Sequence, residues 1–171
     1  MENYRIISPE EFDNSPFRLI GKEWMLITAP DESKESGVNA MTASWGGLGV
    51  LWNKPVATIF VRPQRYSYGL CEKNERFSLC ILPDEYRGAL KLCGTKSGRD
   101  TDKLKECSLD CIDVDGVKVI EKSNVALICK KMYSDDLKKE CFIDKEQYKH
   151  YASGDFHRFY ILEIEKILEK S

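Results

Sequence analysis

A short basic segment, VRPQRYSYG at positions 61–69, has the residue types of an anion-binding site. Arg62 and Arg65 are separated by a proline that fixes the local backbone, and Tyr66 and Ser67 are predicted to open a helix. The first N–H groups of a helix have no partner within it, so with guanidinium and hydroxyl groups they can hold a phosphate. The alternative is that both arginines are solvated, as arginines near helix starts usually are.

A second segment, TKSGRDTDK at 95–103, concentrates cations in a glycine-containing loop. It combines N–H groups, hydroxyls and positive charges that one anion could contact, from Lys96, Ser97, Gly98, Arg99 and Lys103. Such charged loops are otherwise mobile surface segments. Neither G-x-G-x-x-G nor a Walker sequence occurs, so the two common nucleotide-binding folds receive no support.

The stretch NAMTASWGG, at 39–47, is predicted to be a strand with two different faces. Successive side chains of a strand point to opposite sides, which separates Met41, Ala43 and Trp45 from Ala40, Thr42 and Ser44. We expect the first set to pack in the core. The second set, small and rich in hydroxyls, either faces water or lies along a planar ligand.

The segments around these motifs predict a β-barrel with a few peripheral helices. Strands are predicted at 24–29, 38–45 with a bend at Gly46-Gly47, 55–61, 76–82, a hairpin turning at Asp115-Gly116, a long strand beyond it, and 157–169. Helices are predicted within 64–74, from an Asp84 cap to Gly94, after a Thr101 or Asp100 cap, and at 144–152. In the last strand we expect Phe159, Ile161 and Ile164 on the apolar side. Because the strands follow one another with few long crossovers, an antiparallel barrel or sandwich is favoured over a doubly wound sheet.

Composition excludes several classes of protein. The 171 residues are 42% hydrophobic and 32% charged, which is typical of one soluble globular domain, taken here as residues 1–171. A net charge of -2 with interspersed signs provides no basic stripe for nucleic acid. No apolar run is long enough for a membrane span and no export signal is recognised, so we expect a cytoplasmic protein without membrane association.

The seven cysteines are expected to be reduced thiols, because their number is odd and the chain is long enough to fold without disulfides. Cys107 and Cys111 form a C-x3-C pair. This pair could be half of a metal site or a redox pair, but no second pair completes a metal site, and we predict none.

Taken together, the segments resemble the flavin reductase-like family of FMN-binding split-barrel proteins, which includes the flavoredoxins. The resemblance covers roughly residues 20–105, in the order N-x-M-T-x-S-W, R-P-x-R-Y-S and S-G-R-D-x-D-K. A later GDFHRFYILEIE resembles the family's G-D-H strand, with Phe156 inserted between Asp155 and His157. The resemblance implies a split β-barrel, FMN as cofactor, and these cofactor-binding residues: Met41, Thr42, Ala43, Ser44 and Trp45 along the flavin ring, and Arg62, Arg65, Ser67, Ser97, Arg99 and Lys103 around the ribityl phosphate.

The family also implies an oxidoreductase that passes hydride or electrons from NAD(P)H or a redox protein, through FMN, to an acceptor. His157 is the candidate catalytic residue that could contact the substrate or nicotinamide, although it could equally be a structural hydrogen-bonding residue. The family further implies a homodimer with the flavin near the subunit interface. The alternatives are a non-enzymatic FMN-binding electron carrier or flavin-storage protein, an oxidase of the pyridoxamine-phosphate type, and a thiol-redox or metal protein built on Cys107 and Cys111.

Overall fold

The structure, a computed structural model, describes residues 4–170 and is dominated by antiparallel β-strands. The strands are β1 Tyr4–Ile7, β2 Met25–Pro30, β3 Val38–Ala43, β4 Gly46–Leu51, β5 Lys54–Val61, β6 Arg76–Ile81, β7 Cys111–Val114, β8 Val117–Ile120, β9 Val125–Asp136 and β10 Arg158–Lys170. The helices are α1 Pro16–Arg18, α2 Tyr66–Lys73, α3 Arg87–Thr95 and α4 Lys103–Glu106. Short 3-10 turns cover Pro9–Glu11, Asp84–Tyr86, Lys139–Cys141 and Lys145–Tyr151, and a π-helical turn covers Leu19–Glu23.

The main sheet has the strand order β3-β2-β6-β9-β10-β5-β4, and every pairing in it is antiparallel. The long strand β10 pairs with β9 along one edge, and along the other with β5 and then β1. The strands β7 and β8 form a separate hairpin. The predicted mainly β, antiparallel fold with short helices is therefore confirmed.

Two apolar clusters lie on opposite faces of this sheet. One contains inward residues of β2, β3, β5, β6, β9 and β10, and the other lies beneath α3, α4 and the β7–β8 hairpin. The strand β3 contributes Met41 and Ala43 to the first cluster and Val38 and Ala40 to the second. It is thus buried on both faces, which is why its alternation of apolar and small residues is weak.

In β10 the predicted apolar side is wrong at two of its three positions. Tyr160, Leu162 and Ile164 point into the first cluster, whereas Phe159 and Ile161 lie on the opposite, partly exposed face. The run FYILEI is apolar on both sides at its start, so the period of two alone does not identify the inner face.

Several element boundaries differ from the predictions. The second strand ends at Ala43, and the next strand, β4, begins at the predicted bend; neither β4 nor β1 is predicted from the sequence. A Cβ at Gly46 would lie 2.5 Å from the carbonyl oxygen of Thr58, so only glycine lets β4 start its pairing with β5 here.

The helix caps also differ. Asp84 starts a 3-10 turn instead of capping a helix, and α3 continues through Gly94. The cap of α4 is Asp102, whose side chain accepts a hydrogen bond from the Lys105 N–H at 3.3 Å. The backbone of Asp102 is extended, as is usual for a residue that caps a helix. The hairpin turn at Asp115-Gly116 is as predicted, with φ values of 51° and 79°. Within residues 4–170, no helix combines the length and apolar character that crossing a membrane requires.

Candidate functional site

Two adjoining cavities contain all the cofactor-binding and catalytic residues that the family resemblance implies. The strand cavity, of about 250 Å³, is lined by Met41, Thr42, Ala43, Ser44, Trp45, Phe60, Arg62, Arg65 and His157. The loop cavity, of about 170 Å³, is lined by Met41, Gln64, Arg65, Tyr66, Ser67, Cys93, Thr95, Lys96, Ser97, Gly98, Arg99 and Lys103. Met41 and Arg65 line both, so the two cavities lie side by side.

The sheet explains why distant segments meet at the strand cavity. The strands β3 and β5 end at Ala43 and Val61, and β10 begins beside Val61 because Arg158 is its register partner. His157, directly before β10, is thereby placed near Arg62, directly after β5. The cavity lies where these strand ends leave the sheet.

Trp45 differs from its predicted place in the core. The chain leaves β3 after Ala43, and the indole is 45% exposed, with its ring centroid 5.2 Å from that of His157 and 5.4 Å from that of His150. Met41 and Ala43 do belong to the core. Strand alternation fails at Trp45 because the strand has already ended.

The other predicted face of β3 is open to water only at Ser44, beyond the end of the strand. Ala40 is buried in the second cluster, and the Thr42 hydroxyl donates a hydrogen bond to the carbonyl oxygen of Leu90 in α3. Ser44 is exposed at the rim of the strand cavity. A ligand in this cavity therefore meets the end of β3 at Ala43 and Ser44, while the Thr42 hydroxyl is already bonded to α3.

The loop cavity collects cations that lack carboxylate partners. Arg65 donates to the carbonyl oxygen of Gly94 at 2.7 Å, Arg99 to that of Gln64 at 3.3 Å, and Lys103 to that of Cys93 at 3.2 Å. Among residues 4–170, none of these three cations forms a salt bridge, whereas Lys96 pairs with Glu106. The site therefore holds an excess of positive charge.

Lys103 is the most unusual of these cations because it is only 4% exposed. Burial lowers the pKa of its ammonium group, and the positive charge of Arg65 lowers it further. Buried charges in proteins are normally paired, so the floor of the loop cavity is electrostatically suited to an anion.

Gly98 allows the loop to lie directly against β3 and α2. A Cβ at this position would stand 2.2 Å from Asn39 Oδ1 and 2.5 Å from Tyr66 Cδ1. The Asn39 amide donates to the Ser67 hydroxyl at 2.7 Å and so links β3 to the start of α2. The sequence analysis does not place Asn39 or Tyr66 in the binding site. Both residues belong to the quoted motifs, N-x-M-T-x-S-W and R-P-x-R-Y-S, and this membership could have identified them.

His157 is buried, with 7% of its surface exposed, and its Nδ1 lies 2.9 Å from the Tyr151 hydroxyl. Burial, and next to it the positive charge of Arg62, lower the pKa of its imidazole to about 4, although Asp155 acts in the opposite direction. The imidazole is therefore neutral at neutral pH and can act as a hydrogen-bond donor or acceptor, but not as a cation.

Arg62 is held at the strand cavity by the segment that precedes β10. Its guanidinium forms a salt bridge with Asp155 and donates to the carbonyl oxygen of His150 at 2.8 Å. Asp155 also accepts from Gln64. Asp155 and His157 both belong to the GDFH sequence. Although Phe156 is inserted between them, Asp155 contacts Arg62 and His157 lines the strand cavity.

The surroundings of the Cys107 and Cys111 thiols favour their protonated forms. All seven cysteines are free. Burial raises the pKa of the Cys107 thiol and that of the Cys111 thiol, the latter to about 12, which disfavours the reactive thiolate. Within residues 4–170, no three His, Cys, Asp or Glu side chains are grouped as a metal ion would require.

The comparison with known families decides which class of protein this is. Residues 17–170 match the model of the flavin reductase like domain. The chain belongs to the flavin reductase-like family. No curated protein matches the chain.

Solved structures of similar fold include flavin-binding proteins. An FMN-binding protein from Thermus thermophilus with bound p-hydroxybenzaldehyde has 19% identity, a TM-score of 0.68, and coverage of 96% of this chain and 78% of that one. A flavoredoxin from Methanosarcina acetivorans has 18% identity, a TM-score of 0.66, and coverage of 96% and 74%. An NADH:FAD oxidoreductase from Streptomyces globisporus, in complex with NAD and FAD fragments, has 15% identity, a TM-score of 0.63, and coverage of 85% and 73%. At these identities the likeness shows the shared fold.

Proposed function

We propose that this flavin reductase-like protein binds FMN across the two cavities and is an oxidoreductase that passes hydride or electrons from NAD(P)H or a protein donor to an acceptor. The observation that carries the proposal is the buried Lys103, which lies with Arg65 and Arg99 in a cavity where none of the three has a carboxylate partner among the described residues. A phosphate would neutralise these charges.

The loop cavity fits the phosphate end of FMN. Lys103 and Arg99 would supply charge, Ser67 and Ser97 hydroxyl groups, and the start of α2 the free N–H groups. The close approach at Gly98 keeps the loop against Asn39 and Tyr66, so the cradle is already formed by the chain itself. A larger side chain at Gly98 would clash with Asn39 and Tyr66.

The strand cavity, next to it, would hold the isoalloxazine ring against the end of β3, near Ala43, Ser44 and Trp45. Arg65 lines both cavities and so would lie between ring and phosphate. Met41 lies at the same junction and would contact the ring from the core side.

Once bound, FMN supplies the redox chemistry, because its ring can accept a hydride and release electrons to an acceptor. The protein orients and tunes it. Arg62 and Arg65 place positive charge at the strand cavity, where it would stabilise negative charge that develops on reduction. His157 would offer a neutral hydrogen-bonding group to the ring or to a second substrate.

Flavin titration of the apoprotein tests FMN binding. We expect a saturable change in the visible flavin spectrum, and Lys103→Met should weaken binding about 10- to 100-fold, because a hydrogen bond to a charged group contributes about 1.5–3 kcal/mol. Lys91→Met, which removes an exposed lysine of α3 outside both cavities, is the matched control and should bind as the wild type does. Absence of saturable binding by the wild type, or equal binding by Lys103→Met, would contradict the proposal.

Anaerobic stopped-flow measurements of flavin reduction distinguish a reductase from an electron carrier or flavin-storage protein. Rapid reduction of bound FMN by NADH or NADPH supports a reductase, and the Streptomyces structure that contains NAD makes a nicotinamide donor a reasonable first choice. FMN binding without reduction by either nucleotide would favour an electron carrier or flavin-storage protein, and reduction by a redox protein would identify a protein donor.

We also propose a homodimer that uses the face of β4. This strand pairs only with β5 among the described residues, and Val50 and Trp52 at its end are exposed, as is Phe17 beside it. Two apolar grooves of about 440 Å³ and 560 Å³ meet on this face at Pro16 and Leu48. The larger groove shares Trp45 with the strand cavity, so a second copy bound there would lie beside the flavin.

Analytical ultracentrifugation tests the dimer. We expect the wild type to sediment as a dimer at micromolar concentration and Val50→Lys as a monomer, because the lysine would place a charge within the apolar face. Ile143→Lys, at a fully exposed position outside both grooves, should remain dimeric. A monomeric wild type would contradict the dimer proposal without affecting FMN binding.

A further inference from the structure

The segment between β9 and β10, residues 137–156, is here called the strap. It packs against Trp45, Arg62 and His157, which line the strand cavity. Its second 3-10 turn ends at Tyr151, which is buried. The Tyr151 ring stacks on Phe156 with centroids 4.8 Å apart and packs edge-on against Phe142 at 5.8 Å. The phenol is thus held in a fixed place beside His157.

The imidazole of His157 is held as firmly. Its centroid lies 5.2 Å from that of Trp45, 5.5 Å from that of Tyr151 and 6.3 Å from that of Phe60, the last two edge-on. Three aromatic rings therefore fix the plane of the imidazole. Only the position of its proton remains to be decided.

Hydrogen-bond counting decides that position. A neutral imidazole has one N–H, so either the Tyr151 hydroxyl donates to Nδ1, or Nδ1–H donates to the Tyr151 oxygen. Burial raises the pKa of Tyr151, so the phenol keeps its proton. The only hydrogen bond of this hydroxyl among residues 4–170 is the one to His157. If Nδ1 carried the proton, the phenol hydrogen would have no acceptor among these residues in a buried place, which is costly. The favoured arrangement has the phenol donating to Nδ1 and the imidazole proton on Nε2.

Nε2 is left open to solvent and to a ligand. His157 lines the strand cavity, and Nε2 has no hydrogen-bond partner among residues 4–170 although it is not sealed from solvent. The charged groups near the imidazole are Arg62, Arg65 and Asp155; the two arginines disfavour the imidazolium form and Asp155 favours it. The imidazole remains neutral despite Asp155, because burial acts in the same direction as the arginines.

We infer that Tyr151 is a positioning residue that holds His157 as its Nε2–H tautomer and so presents one neutral hydrogen-bond donor to the strand cavity. The group recognised is a hydrogen-bond acceptor, such as a carbonyl oxygen or an unprotonated ring nitrogen. The inference rests on the proposed function for the identity of that group, which would belong to the flavin ring or to a substrate against it. The tautomer itself does not depend on a bound flavin.

Nitrogen NMR of histidine-labelled protein tests the tautomer directly. The chain has only two histidines, so His150→Gln assigns the signals of His157. We expect an unprotonated Nδ1 and a protonated Nε2 in the wild type, and a mixture of both tautomers in Tyr151→Phe. Tyr148→Phe is the matched control, because its hydroxyl, in the same strap, donates to the carbonyl oxygen of Lys139 at 2.7 Å. A protonated Nδ1 in the wild type, or an unchanged tautomer in Tyr151→Phe, would overturn the inference.

FMN binding and reduction provide the second measurement. Tyr151→Phe should keep the wild-type affinity for FMN, because it leaves the loop cavity intact, and should slow reduction of bound FMN about fivefold, as loss of one ordinary hydrogen bond implies. An unchanged reduction rate in a variant whose tautomer has shifted would contradict a role for the donor. If the wild type binds no FMN, the proposed function fails while the NMR result still decides the role of Tyr151.

Discussion

The buried His157 should make the stability of the protein depend on pH in a defined window. The pKa of this imidazole falls from its ordinary value of 6.5 to about 4 on folding, chiefly through burial. Between these values the unfolded chain binds a proton that the folded protein does not, so lowering the pH stabilises the unfolded state. Above the ordinary pKa both states are neutral, and the histidine contributes no pH dependence.

The size of the effect follows from the two pKa values. Integrated from about pH 7.5 to about pH 5, the difference in proton binding lowers the free energy of unfolding by about 2 kcal/mol. The variant His157→Gln lacks this contribution but retains the other titrating groups. The difference in unfolding free energy, wild type minus variant, should therefore decrease by about 2 kcal/mol over this range.

Urea denaturation of the flavin-free protein at several pH values measures this difference. His150→Gln removes the other histidine, from an exposed position, and should follow the wild type at each pH. A difference between wild type and His157→Gln that stays constant, or grows, as the pH falls would refute the assignment of a buried, neutral imidazole.

Three further substitutions test other parts of the site. Gly98→Ala should lower the unfolding free energy by about 1–3 kcal/mol and weaken FMN binding, because the added Cβ would overlap Asn39 and Tyr66. Urea denaturation and flavin titration measure the two effects. The control is Gly88→Ala, whose Cβ meets nothing within 4 Å. Asp102→Ala should lower the unfolding free energy by about 1–2 kcal/mol, because it removes the cap of α4 and the acceptor for the Ser36 N–H at 2.9 Å. Equal stability of variant and wild type in urea denaturation would contradict this role of Asp102. Trp45→Ala should cost less than the about 3–5 kcal/mol of a core tryptophan, since Trp45 is 45% exposed, and the same urea denaturation measures it.

Much of the site could be predicted because its chemistry is local in the chain. Arg62, Arg65 and Ser67 stand within one strand-to-helix connection, and Ser97 and Arg99 within one loop, so their residue types indicate an anion before any fold is known. The predicted residues do line two neighbouring cavities. Their roles toward FMN remain predictions, to be tested by the titrations described above.

The errors occur where a side chain's surroundings come from distant parts of the chain. Trp45 has the spacing of a core residue, but the strand ends two residues earlier. The strap brings His150 to the indole, and the start of β10 brings His157 to it. The side of β10 that faces the core was likewise decided by the sheets around it, since Phe159 and Tyr160 are both aromatic. Local pattern cannot distinguish such cases, because burial depends on what packs against each face.

The sequence by itself determined the fold class and the residue types that could bind an anion, because strand periodicity, turn residues and the order of the motifs are all properties of short segments. Only the tertiary structure decided how those groups act together. It buried Lys103 without a carboxylate partner among the described residues and brought Tyr151 to Nδ1 of His157. It also set Gly98 directly against Asn39. These are consequences of long-range packing, which fixes desolvation and hydrogen-bond partners that no short stretch of sequence contains.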